Sequence, residues 1–123
     1  MPKPSVFVTR ALPGDALPRL AAAAEVFVWP EESPPPHEEI VRRAAGADAL
    51  LTMLTDRIDA AVLDAGRRLR VVANMAVGYD NIDVSAATAR GKMAAMAVEN
   101  VLAALRGEQP PNCVNPEAGQ PRP

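Results

Sequence analysis

Cysteine and histidine are each present once in this 123-residue chain, as Cys113 and His37, and that scarcity already excludes a good deal. A lone cysteine forms no intrachain disulfide, and neither residue belongs to a cluster spaced for metal ligation, so a metal centre is not expected. That fits a reducing, cytoplasmic setting. No apolar run approaches the roughly 20 residues that a membrane span needs, and the start offers only Lys3 and the short SVFV, so neither a span nor a leader is predicted. With a net charge of −2 there is no electrostatic footprint for nucleic acid. Glycines are present but never paired: Gly14, Gly46, Gly66, Gly78, Gly91, Gly107 and Gly119 never fall within two residues of one another. A G-x-G-x-x-G turn, which lets backbone approach a pyrophosphate, is therefore absent.

What is there reads as one globular domain, at 49% hydrophobic and 23% charged residues. Four short apolar runs recur, SVFVT at 5–9, EVFVW at 25–29, DALLTML at 48–54 and RVVANMA at 70–76. They are nearly continuous in Val, Leu, Phe and Met rather than alternating with polar residues, as expected of parallel strands covered by helices on both faces. Helical segments lie between them. In PHEEIVRRAAG, Glu38 and Glu39 occupy the first turn and Arg42 and Arg43 the last, and Gly46 can close the helix. Asp59 and Asp83 are candidate N-caps, with Gly66 and Gly91 as the matching stops, and Ile58 and Leu63 can form a staple across the first of these caps. Pro18 must fall in the opening turn of the first helix to be tolerated. PEESPPP is a stiff extended loop, and NPEAGQPRP reads as an unpacked tail.

The pattern breaks at Gly91. Lys92 leads into MAAMAVENVLAALRG, whose composition predicts a helix from Met93 to Arg106, so two helices abut with no strand between them. Gly91 within a helix costs only about 1 kcal/mol relative to Ala. One continuous helix from Ser85 to Arg106 is then possible, with Gly91 as a left-handed cap the competing geometry.

The stretch VVANMAVGYDNIDV, 71–84, is the best candidate for chemistry: a buried strand breaks at Gly78 into a polar turn that starts a helix, freeing backbone N–H groups for an anion. Together with KPSVFVTRALP, DALLTMLTDRID and MAAMAVENVLAALRGEQPPN, it resembles the D-2-hydroxyacid dehydrogenases, and within them the glyoxylate/hydroxypyruvate reductases. The resemblance covers residues 3 to about 91 and then about 93 to 115, in two pieces. It implies a substrate-binding domain with the NAD(P)-binding domain deleted at a Gly91–Lys92 join made by design. The fold implied is a flavodoxin-like α/β three-layer sandwich with parallel sheet order 2-1-3-4, the fifth strand missing and a C-terminal helix on one face. Residues 1–91 would be its first segment, 92–116 the returning helix, and 117–123 a disordered tail.

By that resemblance, Val77 and Gly78 would hold the carboxylate of a small 2-oxo or 2-hydroxy acid and Leu54 would line the same pocket. The family's catalytic Arg, Glu and His match no position here, so no catalytic and no cofactor-binding residue is assigned and the isolated chain is expected to be inert. Reductase activity would belong to the full-length parent, whose cofactor is NAD(P). Read without the resemblance, AVGYDNID is a plain strand-to-helix turn, Asp80 a turn residue, Arg57 a solvated loop charge, His37 a solvated first-turn residue, and Met53, Met75, Met93 and Met96 core filling. Trp29 is expected to pack at a strand end. A signalling receiver would need acidic residues after strand one, and that strand ends Thr9-Arg10-Ala11. With strand four left as an open edge, a homodimer formed by exchange of the C-terminal helix is the expected assembly.

Overall fold

The computed structural model describes residues 3–76, 78–96 and 98–119. Strand and helix alternate along it: β1 (Ser5–Val8), α1 (Ala16–Ala23), β2 (Glu25–Val28), α2 (His37–Ala44), β3 (Ala49–Thr52), α3 (Ala60–Ala65), β4 (Val71–Asn74), α4 (Val84–Ala89), β5 (Met93–Met96) and α5 (Val98–Leu105), followed by a 3₁₀ turn at Pro116–Gly119. The strands form one parallel sheet in the order β2-β1-β3-β4-β5.

Side chains alternate across a strand, so each apolar run feeds two cores. Val6, Val8, Ala49, Leu51, Val71, Ala73 and Ala95 pack with Leu20 of α1 and Val98, Val101 and Ala104 of α5. Phe7, Leu50, Val72 and Ala94 point the other way, onto Ile40 of α2, Val62 and Leu63 of α3 and Ala87 of α4. The result is the three-layer α/β sandwich that the near-continuous apolar runs imply.

Local signals act as expected. Asp59 caps α3 by accepting from Val62 N at 3.4 Å, and Asp83 caps α4 by accepting from Ala86 N at 2.9 Å. Gly66 ends α3 where a Cβ would stand 2.8 Å from Leu69 Cβ, so close packing admits no larger residue. Pro18 lies in the first turn of α1, and Trp29 follows β2, packs on the second core and donates from Nε1 to Ser33 O at 3.0 Å.

The fifth strand is present, which corrects the expected order 2-1-3-4 and the expected helix over 93–106. Gly91 adopts φ 69°, Gly91 N donates to Thr88 O at 3.1 Å and Lys92 N to Ala87 O at 2.9 Å, so α4 ends in a left-handed cap and does not run on. The chain then enters the sheet, with Met93 N donating to Arg70 O at 2.8 Å and Met93–Met96 in register with Val71–Asn74. The sequence MAAM favours a helix locally, but the open donors and acceptors of β4 offer a complete ladder, and Ala94 and Ala95 are small enough to be fully buried on opposite faces. Tertiary pairing overrides propensity.

Two further expectations change with it. Strand four is not an edge, residues 85–106 are not one helix, and α5 packs on its own sheet. Nor is the tail unpacked through Gly119. Asn115 is 0% exposed: its Oδ1 accepts from Ala94 N at 2.7 Å and its Nδ2 donates to Lys92 O and Thr88 Oγ1, both at 2.9 Å. Residues 117–119 continue into the 3₁₀ turn, and 120–123 lie outside the described residues.

Candidate functional site

Ligands in open α/β sheets sit beyond the carboxyl ends of the strands. Here the ladder runs slightly past the strands there, with Thr9 N donating to Leu51 O at 3.0 Å and Met75 N to Thr52 O at 2.8 Å. Two loops then leave the sheet side by side, 53–59 after β3 and 75–83 after β4. They are stitched by a parallel bridge between Ile58 and Ile82, with Ile58 N donating to Asn81 O and Asp83 N to Ile58 O, both at 2.9 Å.

Leu54 and Gly78 meet across this seam. A Cβ built on Gly78 would lie 3.7 Å from Leu54 Cδ2, an ordinary contact, and the Gly78 backbone is not in the left-handed region. Conformation therefore does not require glycine here; the hydrogen in place of a methyl leaves the space beside Leu54 open. Leu54 itself, in the loop after β3, is 53% exposed. Among the described residues the Gly78 and Tyr79 N–H groups have no hydrogen-bond acceptor. Val77, the third residue expected at this site, lies outside the described residues.

A polar network underlies the turn, and sequence reasoning missed it. Thr52 and Asn74, both fully buried at the ends of β3 and β4, are joined by Thr52 Oγ1 donating to Asn74 Oδ1 at 2.7 Å. Asn74 Nδ2 donates to Gly78 O at 3.0 Å and to Asn81 Oδ1 at 2.7 Å. Asn81 Nδ2 donates to Met53 O at 3.0 Å and Asp56 O at 2.7 Å. Buried Asp56 accepts at Oδ2 from Thr9 Oγ1 at 2.5 Å and Met53 N at 2.9 Å, while its Oδ1 has no protein partner. The available signal was Asn74 in VVAN, a poor strand former at a position otherwise reserved for apolar residues.

Other candidates are accounted for by structure. His37 is not simply solvated, because its Nε2 lies 3.0 Å from Asp59 Oδ1 and both side chains are partly buried. Burial raises the Asp59 carboxyl, but the hydrogen bonds from His37 and Val62 N outweigh it and hold the group below its ordinary value. Arg57 is exposed and pairs with Asp59 Oδ2 at 3.2 Å. Asp80 is an exposed turn residue, and Met75 and Met93 pack against the first core. Burial pushes the Cys113 thiol up, which disfavours the thiolate a nucleophile needs. At the opposite end of the sheet burial pushes the Lys92 ammonium down, and its Nζ caps α3 by donating to Gly66 O at 2.6 Å and Leu69 O at 3.0 Å. Among the described residues no three side chains are grouped to hold a metal ion, and no helix is long and apolar enough to cross a membrane.

Known proteins are similar to this chain in sequence and fold. Over 89 residues, 72% of this chain, it is 54% identical to a glyoxylate reductase of Thermococcus kodakarensis, and over 91 residues it is 52% identical to that of Aeropyrum pernix. It spans 27% of the length of each. Among solved structures, the TT0316 protein of Thermus thermophilus superposes with a TM-score of 0.69 at 41% identity, covering 74% of this chain and 29% of that one. An NADPH-dependent glyoxylate/hydroxypyruvate reductase from Sinorhizobium meliloti does so with a TM-score of 0.60 at 25% identity, covering 78% and 29%. The profile of the D-isomer specific 2-hydroxyacid dehydrogenase catalytic domain matches residues 6–91, a stretch that runs from β1 through the Gly78 turn to the cap of α4. With most of the sheet and both loops of the site inside that match, this chain belongs to the D-isomer specific 2-hydroxyacid dehydrogenase family.

Proposed function

We propose that this chain is the carboxylate-holding part of a glyoxylate/hydroxypyruvate-type reductase and that, taken alone, it binds small 2-oxo or 2-hydroxy acids weakly and turns none of them over. The observation that carries the reading is the Gly78–Tyr79 turn, whose two backbone N–H groups have no acceptor among the described residues and which lies against the exposed Leu54. A carboxylate accepts such paired donors, and the apolar Leu54 suits the short carbon skeleton attached to it. The site is shallow, so one or two hydrogen bonds offset little of the entropy of association, and affinity in the millimolar range or weaker follows.

The residues present do not fit a nicotinamide dinucleotide. No strand-to-helix turn among the described residues carries more than one glycine, whereas a pyrophosphate cradle needs close backbone approach at several positions. Hydride transfer also needs a proton donor within hydrogen-bond reach of the reacting oxygen, and the histidine is engaged by the Asp59 carboxylate at 3.0 Å. In the parent enzyme those parts come from elsewhere, and the role of Leu54, Val77 and Gly78 is to hold and orient the acid.

Gly78→Ala tests the reading, because the added methyl meets Leu54 at an ordinary distance and strains no backbone, so the fold persists while the open space is filled. In amide spectra, glyoxylate titrated to tens of millimolar, about the range set by so few contacts, shifts Gly78, Tyr79 and Leu54 in the native chain and leaves them still in the variant. Equal shifts in the two proteins, or shifts spread evenly over the sheet, remove the site. NADH or NADPH oxidation above the buffer rate by the chain alone removes the claim that it is inert.

A further inference from the structure

We infer that Asn81 is a positioning residue for acid recognition, aiming the Gly78–Tyr79 peptide through Asn74; the inference rests on the carboxylate-binding reading above. The peptide bonds of the described residues are all trans, so a carbonyl and the following N–H point in opposite directions. Asn74 Nδ2 holds the Gly78 carbonyl toward the buried end of β4, which turns the Tyr79 N–H outward, to the side a ligand can reach. Asn74 has no freedom to do otherwise. Its second amide proton goes to Asn81 Oδ1 and its Oδ1 accepts from Thr52. Asn81 in turn spends its own protons on Met53 O and Asp56 O, the carbonyls flanking the loop that carries Leu54. One side chain thereby ties the donor turn to the apolar wall. Because both of its short donor contacts are internal, Asn81 acts on the acid through the turn and not by touching it. Aspartate in its place would carry no donor for either carbonyl.

The test compares affinity with stability. Glyoxylate is titrated into the labelled native chain, into Asn81→Ala, into Thr52→Val, which removes only the hydroxyl that anchors Asn74, and into Asp48→Ala, which removes the acceptor of Ser5 N (2.8 Å) at the amino end of the sheet, outside both loops. The first two variants are expected to weaken the Gly78 and Tyr79 shifts by about tenfold and threefold, the loss of an aligned hydrogen bond or part of one. Asp48→Ala should lose thermal stability while keeping affinity within about twofold, as a hydrogen bond at the other end of the sheet requires. If Asn81→Ala does not fold, Thr52→Val and the control decide. Native affinity in the network variants, or losses that simply follow Tm in all three, overturn the positioning role and leave the carboxylate site standing. A native chain whose Gly78 and Tyr79 amides ignore glyoxylate overturns both.

Discussion

The two edges of the sheet are closed in different ways. β2 lies at one edge with its residues alternating between exposed and half-buried, and side chains defend it: Phe27 stacks on Phe7 with ring centroids 5.7 Å apart, and the Arg43 guanidinium sits 3.9 Å over the Phe27 ring. β5 lies at the other, and backbone groups are satisfied there instead. Asn115 accepts from Ala94 N and donates to Lys92 O, while Val114 N donates to Ala94 O at 2.8 Å. A strand edge is a template for further pairing unless it is blocked. The β2 edge spreads that task over several partly exposed contacts, each modest, whereas the β5 edge concentrates it in Val114 N and the fully buried Asn115 amide. A concentrated solution is the more fragile of the two.

Substitution at Asn115 is the sharpest way to break the contrast. Asn115→Ala leaves the buried Ala94 N–H and Lys92 C=O without these partners, and the expected cost is about 3 kcal/mol. Calorimetry should show Tm lowered by about 10 °C, with light scattering reporting self-association through the opened β5 edge. A loss below about 1 kcal/mol, the net worth of one ordinary hydrogen bond, means that the edge is not held by this residue.

Gly91→Ala comes next, because its positive φ places any Cβ against the following carbonyl and costs about 1–2 kcal/mol. The sign matters more than the size. Were 85–106 a single helix, alanine would stabilise the chain and favour helix exchange between copies; with the cap observed, denaturant midpoints should fall and the native chain should run near 13.0 kDa.

At the β2 edge, Phe27→Ala should cost about 1 kcal/mol through loss of the stack and the cation–π contact, tempered by the 41% of Phe27 that is already exposed. An effect as large as that of Asn115→Ala would erase the distinction between the edges.

The smallest expected effect lies away from both edges, at Asp59. Its carboxyl is held below the ordinary 3.8, so its contribution is complete above that value and is lost as pH falls through the lower folded value. Carboxyl chemical shifts of Asp59 followed downward from pH 6 should show a midpoint below 3.8 in the native chain and closer to it in His37→Gln. An unchanged midpoint removes His37 as a cause.

Much of residues 5–91 was legible because its signals are local and agree with one another. Asp59 and Asp83 cap, Gly66 and Gly91 stop, and the apolar runs are continuous because both faces of the sheet are covered. Leu54 and Gly78 were singled out by resemblance, and a Cβ built on the glycine would lie 3.7 Å from Leu54 Cδ2. Asn74 and Asn81 were not found. Their significance lies in partners 22 and 28 residues away, Thr52 and Met53, which no local pattern reports.

The sequence by itself determined a parallel α/β sandwich, its helix boundaries through α4 and the location of the turn at Gly78, since period, capping and turn chemistry act within a few residues. Tertiary structure alone decided that MAAM is a strand and that the tail is anchored by Asn115. It also decided that two asparagines hold the turn in place. A four-residue strand has little preference of its own; the unfilled hydrogen bonds of β4 and the apolar slots for Ala94 and Ala95 exist only after the rest of the sheet has formed.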